Sequence, residues 1–350
     1  MRDGVGAGTS EAQFVRRVLI VIALVALALL AWMLRSILLM VFGAVVVATL
    51  FRAFAEAIGR WTRLPPNLSL LLSVLIVATV IGSAGALFGG QIIAQAEGLS
   101  EAIPKAWESL KQRLAGFGLG GQLDQLTGTA SKGGGMASTL GSFAMSLGGG
   151  LTDALLIVVG GIFLAAQPAF YRTGLIKLVP DGKRDLFANA LEESGQALKL
   201  WLKAQLLTML IIGVLTGLGL WLIGVPSALA LGLLAALLEF IPFVGPILAA
   251  VPAVLLALAI DPQLALWTVG LYVVIQQIEG YALSPLIQQW AVDLPGAILI
   301  FSLIAFGTLF GALGIVFAAP LTVVCYVLVK RLYVRETLHT ETPIPGEEKV

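Results

Sequence analysis

Residues Leu237 to Pro252 read LLEFIPFVGPILAAVP. One carboxylate, Glu239, and three prolines, Pro242, Pro246 and Pro252, sit in a run that is otherwise lipid-soluble. Each is costly in a hydrocarbon layer. A charge at the centre of a membrane helix costs about 2.5–3.5 kcal/mol on insertion scales. A proline removes a backbone donor and clashes with the carbonyl four residues earlier. Pro242 and Pro246, with Gly245 between them, therefore predict an interrupted helix. The freed carbonyls are tolerable only inside protein or against a wet cavity. Glu239, one turn before the break, is positioned to face that cavity, as an ion- or proton-coupling group or as a cap on the break. Pro252 lies further on and is expected to kink the second half.

The rest of the chain supplies the hydrocarbon setting. Of 350 residues, 59% are apolar and 12% charged, with a mean hydropathy of +0.99. Soluble domains carry about 25% charged residues. The fold class expected is an all-α polytopic integral membrane protein with about eight transmembrane helices, broken or re-entrant in the C-terminal half. Spans are expected at Val18–Leu34, Ser36–Ala57, Asn67–Gln91, Leu151–Gln167 and Leu200–Ile223. Broken apolar segments follow at Ser227–Ile260 and Leu264–Trp290, then Pro295–Val329. The last would be about 52 Å long as a straight helix, too long for one crossing, and Gly307, Gly311 and Gly314 predict a turn within it. Arg16 and Arg17 before the first run imitate a secretory signal. That run exceeds the roughly 7–15 apolar residues of a signal, and a second follows at once, so a retained span is expected.

Lysines and arginines set the orientation. Arg16, Arg17, Arg60 and Arg63, the group Arg172, Lys177, Lys183, Arg184, Lys199 and Lys203, and finally Lys330, Arg331 and Arg335 fall on one side if the spans number eight. Both termini are then cytoplasmic, in a bacterial inner (plasma) membrane. The chain divides into a cytoplasmic tail (1–17), N-terminal spans (18–93), an extracytoplasmic arm (94–150), a fourth span (151–167), a cytoplasmic helical connection (168–199), a C-terminal transport core (200–329) and a cytoplasmic tail (330–350). The arm opens with Leu99, Ile103, Trp107, Leu110 and Leu114 at helical spacing, an amphipathic helix. It ends in a flexible stretch, Gly116–Gly150, with 12 glycines in 35 residues.

Chemistry is expected in the core. From Ala204 to Val329, 126 residues contain no lysine or arginine, but four acids: Glu239, Asp261, Glu279 and Asp293. The two aspartates read as turn residues beside prolines. Glu279 lies in VVIQQIEGYALSPLIQQW, where Gln276 and Glu279 share one helical face and Gln277 and Tyr281 a neighbouring one. These, with Ser284, are either a polar seam between helices or the lining of a solute path. Gly280 and Pro285 mark a further break. Without basic residues, the lining suits a neutral hydroxylated solute or a cation better than a phosphate ester. The pairs Gly85/Gly89, Gly213/Gly217 and Gly307/Gly311 have the spacing of close helix contacts. One cysteine, Cys325, read as a buried inert thiol, and one histidine, His339, offer no multi-ligand metal site or triad. No cofactor, enzymatic activity or nucleic-acid partner is expected.

Three motifs carry a family likeness. GLLAALLEFIPFVGPILAAVPAVLLAL, QQIEGYALSPLI and FGTLFGALGIVFAAPLTVV together resemble the autoinducer-2 exporter family of bacterial permeases. The resemblance implies a membrane exporter forming a homo-oligomer, a pentamer being one option, in contact with the lipid bilayer and a small polar solute. In the family that solute is the quorum-sensing signal autoinducer-2, while some members are associated with sodium–proton exchange. The expected reading is thus a secondary transporter. Gln276, Gln277, Glu279, Tyr281 and Ser284 would form a substrate path near the midplane, with Glu239 and Glu279 as coupling carboxylates. Pro242, Gly245, Pro246, Gly280, Pro285, Gly307, Gly311 and Gly314 would be the helix-breaking and gating positions. A cation/proton antiporter and a non-transporting membrane scaffold are the alternatives.

Overall fold

A computed structural model describes residues 7–83, 86, 152–288, 292 and 294–344. The arm at 94–150, Gly85, Gly89 and Asp293 lie outside the described residues. The described residues form helices and connections, with no strand among them. Helices α1 (Ala7–Met33) and α2 (Arg35–Thr62) are separated by Leu34 alone. Reversing a helix takes a loop of about 2–5 residues, so α1 leads away from α2, and none of its apolar stretch is buried. Helix α3 (Pro66–Ser83) begins on a proline, whose missing N–H costs nothing there. Helices α4 (Thr152–Ala166) and α5 (Pro168–Lys177) meet at 88°. Gln167 is non-helical at the bend, because the residue before a proline is pushed out of the α region.

Helix α6 (Arg184–Leu222) has 39 residues, about 58 Å at 1.5 Å per residue. That exceeds a hydrocarbon thickness of about 30 Å, so its charged first half projects beyond the apolar layer. It is followed by α7 (Ala228–Leu238), α8 (Val244–Ile260), α9 (Pro262–Ile278), α10 (Ser284–Gln288), α11 (Gly296–Phe310) and α12 (Ala312–Leu328). Five described helices are long and apolar enough to cross a membrane, six if the bent α4–α5 pair counts as one span. Helices α7, α8 and α11 have 11, 17 and 15 residues, short of the roughly 20 needed to span.

The packing is that of a lipid-solvated protein. Large apolar side chains face outward, with Leu222 74%, Leu266 73% and Phe301 71% exposed. The interior is instead rich in small residues: Ala190, Ala197, Ala253, Ala257 and Ala318 are fully buried. Lipid is as apolar as leucine, so helices associate through close packing rather than through burial of apolar area. A Cβ on Gly232 of α7 would lie 2.6 Å from Gly217 Cα of α6, and one on Gly213 2.6 Å from Ala236 Cβ. The two backbones touch. Two buried hydroxyls are satisfied within their own helix, Thr322 donating to Ala318 O at 2.6 Å and Thr268 to Leu264 O at 2.9 Å, whereas the buried Thr216 Oγ1 has no partner among the described residues. Cys325 is exposed on the outer face of α12. The buried-thiol expectation is corrected: hydropathy reports that a residue is apolar, not which way its helix face is turned.

Charge gathers at one end. Arg172 pairs with Glu192 at 3.1 Å, Arg331 with Glu193 at 3.5 Å, and Lys199 of α6 with Glu56 of α2. Arg52 of α2 donates to Ala165 O of α4 at 3.2 Å. These contacts tie α2, α4, α5, α6 and the π-helical turn Val329–Arg335 together. At the same end Ile344 is buried in the main apolar cluster with Leu198 and Val327.

Candidate functional site

Three interruptions shape the core. Helix α7 stops at Leu238, and residues 239–243 turn before α8 starts at Val244. Phe243 sits at φ +65, a left-handed conformation uncommon for a non-glycine residue. Pro242, with no N–H, accepts a bond from Val244 N at 2.8 Å. A Cβ on Gly245 would fall 1.9 Å from Leu238 O, so only glycine lets α8 leave this close to the end of α7. Pro252 lies within α8 without ending it.

The second interruption is a widened turn rather than a break. Residues Glu279–Leu283 form a π-helical turn joining α9 to α10, with Ser284 N–H bonded to Glu279 O five residues back. Pro285 has no N–H to give Tyr281 O, so the helix loosens by one residue instead of stopping. The third is the α11–α12 hairpin. Gly311 takes φ +69. A Cβ on Gly314 would lie 2.0 Å from Phe306 O, and one on Gly307 2.9 Å from Ile315 Cγ1. The two helices therefore fold back upon each other around Gly311.

The first two of these interruptions meet α6 around a cavity of about 260 Å³. Helix α6 supplies Trp201, Ala204, Gln205 and Thr208, spaced to share one face. The turn after α7 supplies Glu239, Pro242 and Phe243, and the end of α9 supplies Gln276 and Glu279. Gly280, Ser284 and the start of α11 at Gly296 close it. Trp201 stacks edge-on to Phe240, ring centroids 6.0 Å apart.

The hydrogen bonds follow from the break. The Glu239 carbonyl, left beyond the end of α7, accepts from Gln205 Nε2 at 2.6 Å. Gln276 Nε2 donates to Glu279 Oε2 at 2.9 Å, fixing that carboxyl one turn along the same face. The carboxyls of Glu239 and Glu279 both line this cavity. Glu239 is 2% exposed, and its Oε2 has no hydrogen-bond partner among the described residues. Two carboxyls that share one cavity disfavour double ionisation, so a proton or a bound cation stabilises the pair. Among the described residues, no basic side chain lines the cavity.

Of the residues singled out in the sequence, Glu239, Glu279, Gln276, Ser284, Pro242 and Gly280 are brought together here. Gln277 and Tyr281 are not: both are exposed on the outer face, Tyr281 at 79%. The i, i+4 spacing that pairs them turns them away from Gln276 and Glu279. Gly245 is buried behind the break, and Pro246 lines a separate apolar groove between α8 and α9, where Tyr272 OH donates to Ala249 O at 3.1 Å. Pro285 is exposed. Gly307, Gly311 and Gly314 act in the hairpin and do not line the cavity. Gln205 and Thr208 were missed; a lone amide and a hydroxyl three residues apart in a run free of basic residues was the signal available. The cavity is also off-centre. Thr208 lies five residues beyond Lys203, about 8 Å along the helix, so the site sits toward the charged end and not at the middle of the apolar stretch.

The family described as AI-2E family transporter has a sequence model that matches residues 20–333. Among curated proteins, YueF of Bacillus subtilis (strain 168) is 28% identical over 290 residues, covering 77% of each chain. YrrI of the same organism is 33% identical over 162 residues, 46% of each chain. The AI-2 transport protein TqsA of Escherichia coli (strain K12) is 33% identical over 118 residues, 32% of this chain and 34% of TqsA. The alignments thus span about half of YrrI and a third of TqsA.

Proposed function

This chain belongs to the AI-2E transporter family, and from that premise we propose that it moves a small polar solute through the Glu239–Glu279 cavity as a secondary transporter. One observation carries the reading: two carboxyls, flanked by Gln205, Gln276, Thr208 and Ser284, face a common cavity between interrupted helices in a bilayer-facing fold. Interrupted helices lend backbone groups to a site that intact helices would keep satisfied. About 260 Å³ is just under the roughly 300–1,000 Å³ of pockets for drug-sized ligands, so the occupant is small. Amides, hydroxyls and carboxyls without a basic group favour a neutral polyol-like molecule. Autoinducer-2 is the family-derived candidate. Export from the bacterial cytoplasm follows if the charged end is cytoplasmic, as the positive-inside rule directs.

The test compares metabolites released by a deletion strain carrying wild type, Glu279→Gln or Gln205→Ala at equal membrane abundance. Export should fall at least about tenfold in Glu279→Gln, the loss of one charge-assisted hydrogen bond. Wild-type release from both variants would remove the cavity from the pathway.

The sharing of one cavity by the two carboxyls favours a second reading, cation–proton exchange, in which Na⁺ and H⁺ alternate between them. In everted vesicles carrying a pH-sensitive dye, dequenching on sodium addition that disappears in Glu239→Gln supports exchange; no sodium response excludes it. We also propose a homo-oligomer within the bilayer. Helix α1 buries none of its apolar stretch in its own protomer, and Gln277 turns an amide outward into an apolar surface.

A further inference from the structure

A second cavity, of about 610 Å³, lies at the charged end, behind α6 as seen from the carboxyl site. It is lined by Arg52 and Arg60 of α2 and by Lys199 and Lys203 of α6, with one carboxylate, Glu56, among them. Lys199 and Lys203, four apart, share a face of α6, while Gln205 and Thr208 lie on the opposite one. The four cations are only partly satisfied. Lys199 is paired with Glu56. Arg52 spends Nη1 on Ala165 O, and Arg60 spends Nε on Glu56 O at 3.4 Å. All four side chains line the same space. Asn67 and Ser69, in the first turn of α3, line the cavity from the N-terminal end of that helix. Beside it, Trp61 is 93% exposed, the placement of an aromatic at a membrane–water interface.

We propose that this cavity binds a phosphate group, presented by the headgroup of an anionic phospholipid. Four cations against one carboxylate leave a net charge near +3 in a cleft between helices, which suits a phosphate and repels a cationic headgroup. The open guanidinium N–H groups offer paired donors to its oxygens. The cavity's position between membrane helices, level with an exposed tryptophan, favours the lipid over a free phosphate. This site is separate from the solute cavity and does not depend on what that cavity carries.

The test uses the full-length protein in mild detergent. Native mass spectrometry should show phosphatidylglycerol retained over phosphatidylcholine. Arg60→Gln and Lys203→Gln, both on exposed side chains, should each weaken retention about tenfold, while Lys177→Gln, outside the cavity, should not. Equal retention of the two lipids by wild type, or unchanged retention in the double variant, overturns the proposal. A measurement on wild type alone guards against variants that misfold: amine-reactive footprinting of Lys203 with and without ligand. Protection by phosphatidylglycerol but not by glycerol phosphate assigns the lipid. Protection by both retains the phosphate site but gives it to the soluble anion, and protection by neither overturns it.

Discussion

Glu239 and Gln205 show how a single break sets the chemistry. Ending α7 at Leu238 leaves the Glu239 carbonyl without a following turn, and Gln205 supplies its donor across the cavity. Gln205→Leu keeps the volume and removes that donor. A buried acceptor left unpaired costs about 1–3 kcal/mol, so the unfolding temperature in detergent should fall by several degrees; no change would mean that the carbonyl finds another donor. Gly245 permits a separate check. Its Cβ position is 1.9 Å from Leu238 O, and Gly245→Ala should cost about 1–3 kcal/mol through overpacking. At Gly280 nothing lies within 4 Å of a Cβ, so Gly280→Ala should change stability by no more than about 0.5 kcal/mol. Equal losses in the two alanine variants would contradict the geometry.

At the scale of elements, the three interruptions differ in kind because their residues differ. Two prolines around a glycine end a helix and restart it. One proline after a glycine only widens a turn. Three glycines with no proline between them let two helices fold back. The hairpin is directly testable: in a Cys325→Ser background, Gly307→Cys with Ile315→Cys should form an intramolecular disulfide under mild oxidation. A Cβ at 307 would lie 2.9 Å from Ile315 Cγ1, which puts the two Cβ atoms near the roughly 3.5–4.5 Å of a disulfide. Failure to cross-link would mean that α11 and α12 are not folded together in the membrane. Helix α11, at 15 residues or about 22 Å, is short for a crossing, which suits a segment that enters the layer and returns with α12.

At the scale of the molecule, charge segregation decides orientation and the position of the site. The basic residues of α2, α5, α6 and the segment after α12 collect at one end, and the carboxyl cavity opens within two turns of it. In the proposed orientation that end is cytoplasmic, as the positive-inside rule directs. Gly182→Cys, in an exposed turn with open space around it, should react with an impermeant maleimide in everted vesicles and not in intact spheroplasts, again without Cys325. The opposite pattern would invert the topology and, with it, the proposed direction of transport.

The membrane class, the helical fold and the break at Glu239–Pro246 were legible from composition and from residues whose cost in hydrocarbon is local. Hydrophobicity, missing proline donors and the absence of basic residues over Ala204–Val329 need no tertiary partner to be read. The spacing at Gly213/Gly217 was legible too, but only as a pattern. Its partner, Gly232 on α7, is known only once the helices pack. Tertiary structure alone brought Glu239 and Glu279 together across 40 positions of chain, recruited Gln205 and Thr208 from a helix with no break of its own, and turned Gln277, Tyr281 and Cys325 outward. The physical reason is that helical periodicity tells which residues share a face but not what that face meets. In lipid, where apolar side chains are as comfortable outside as inside, only the packing of small residues and the pairing of polar ones decide it.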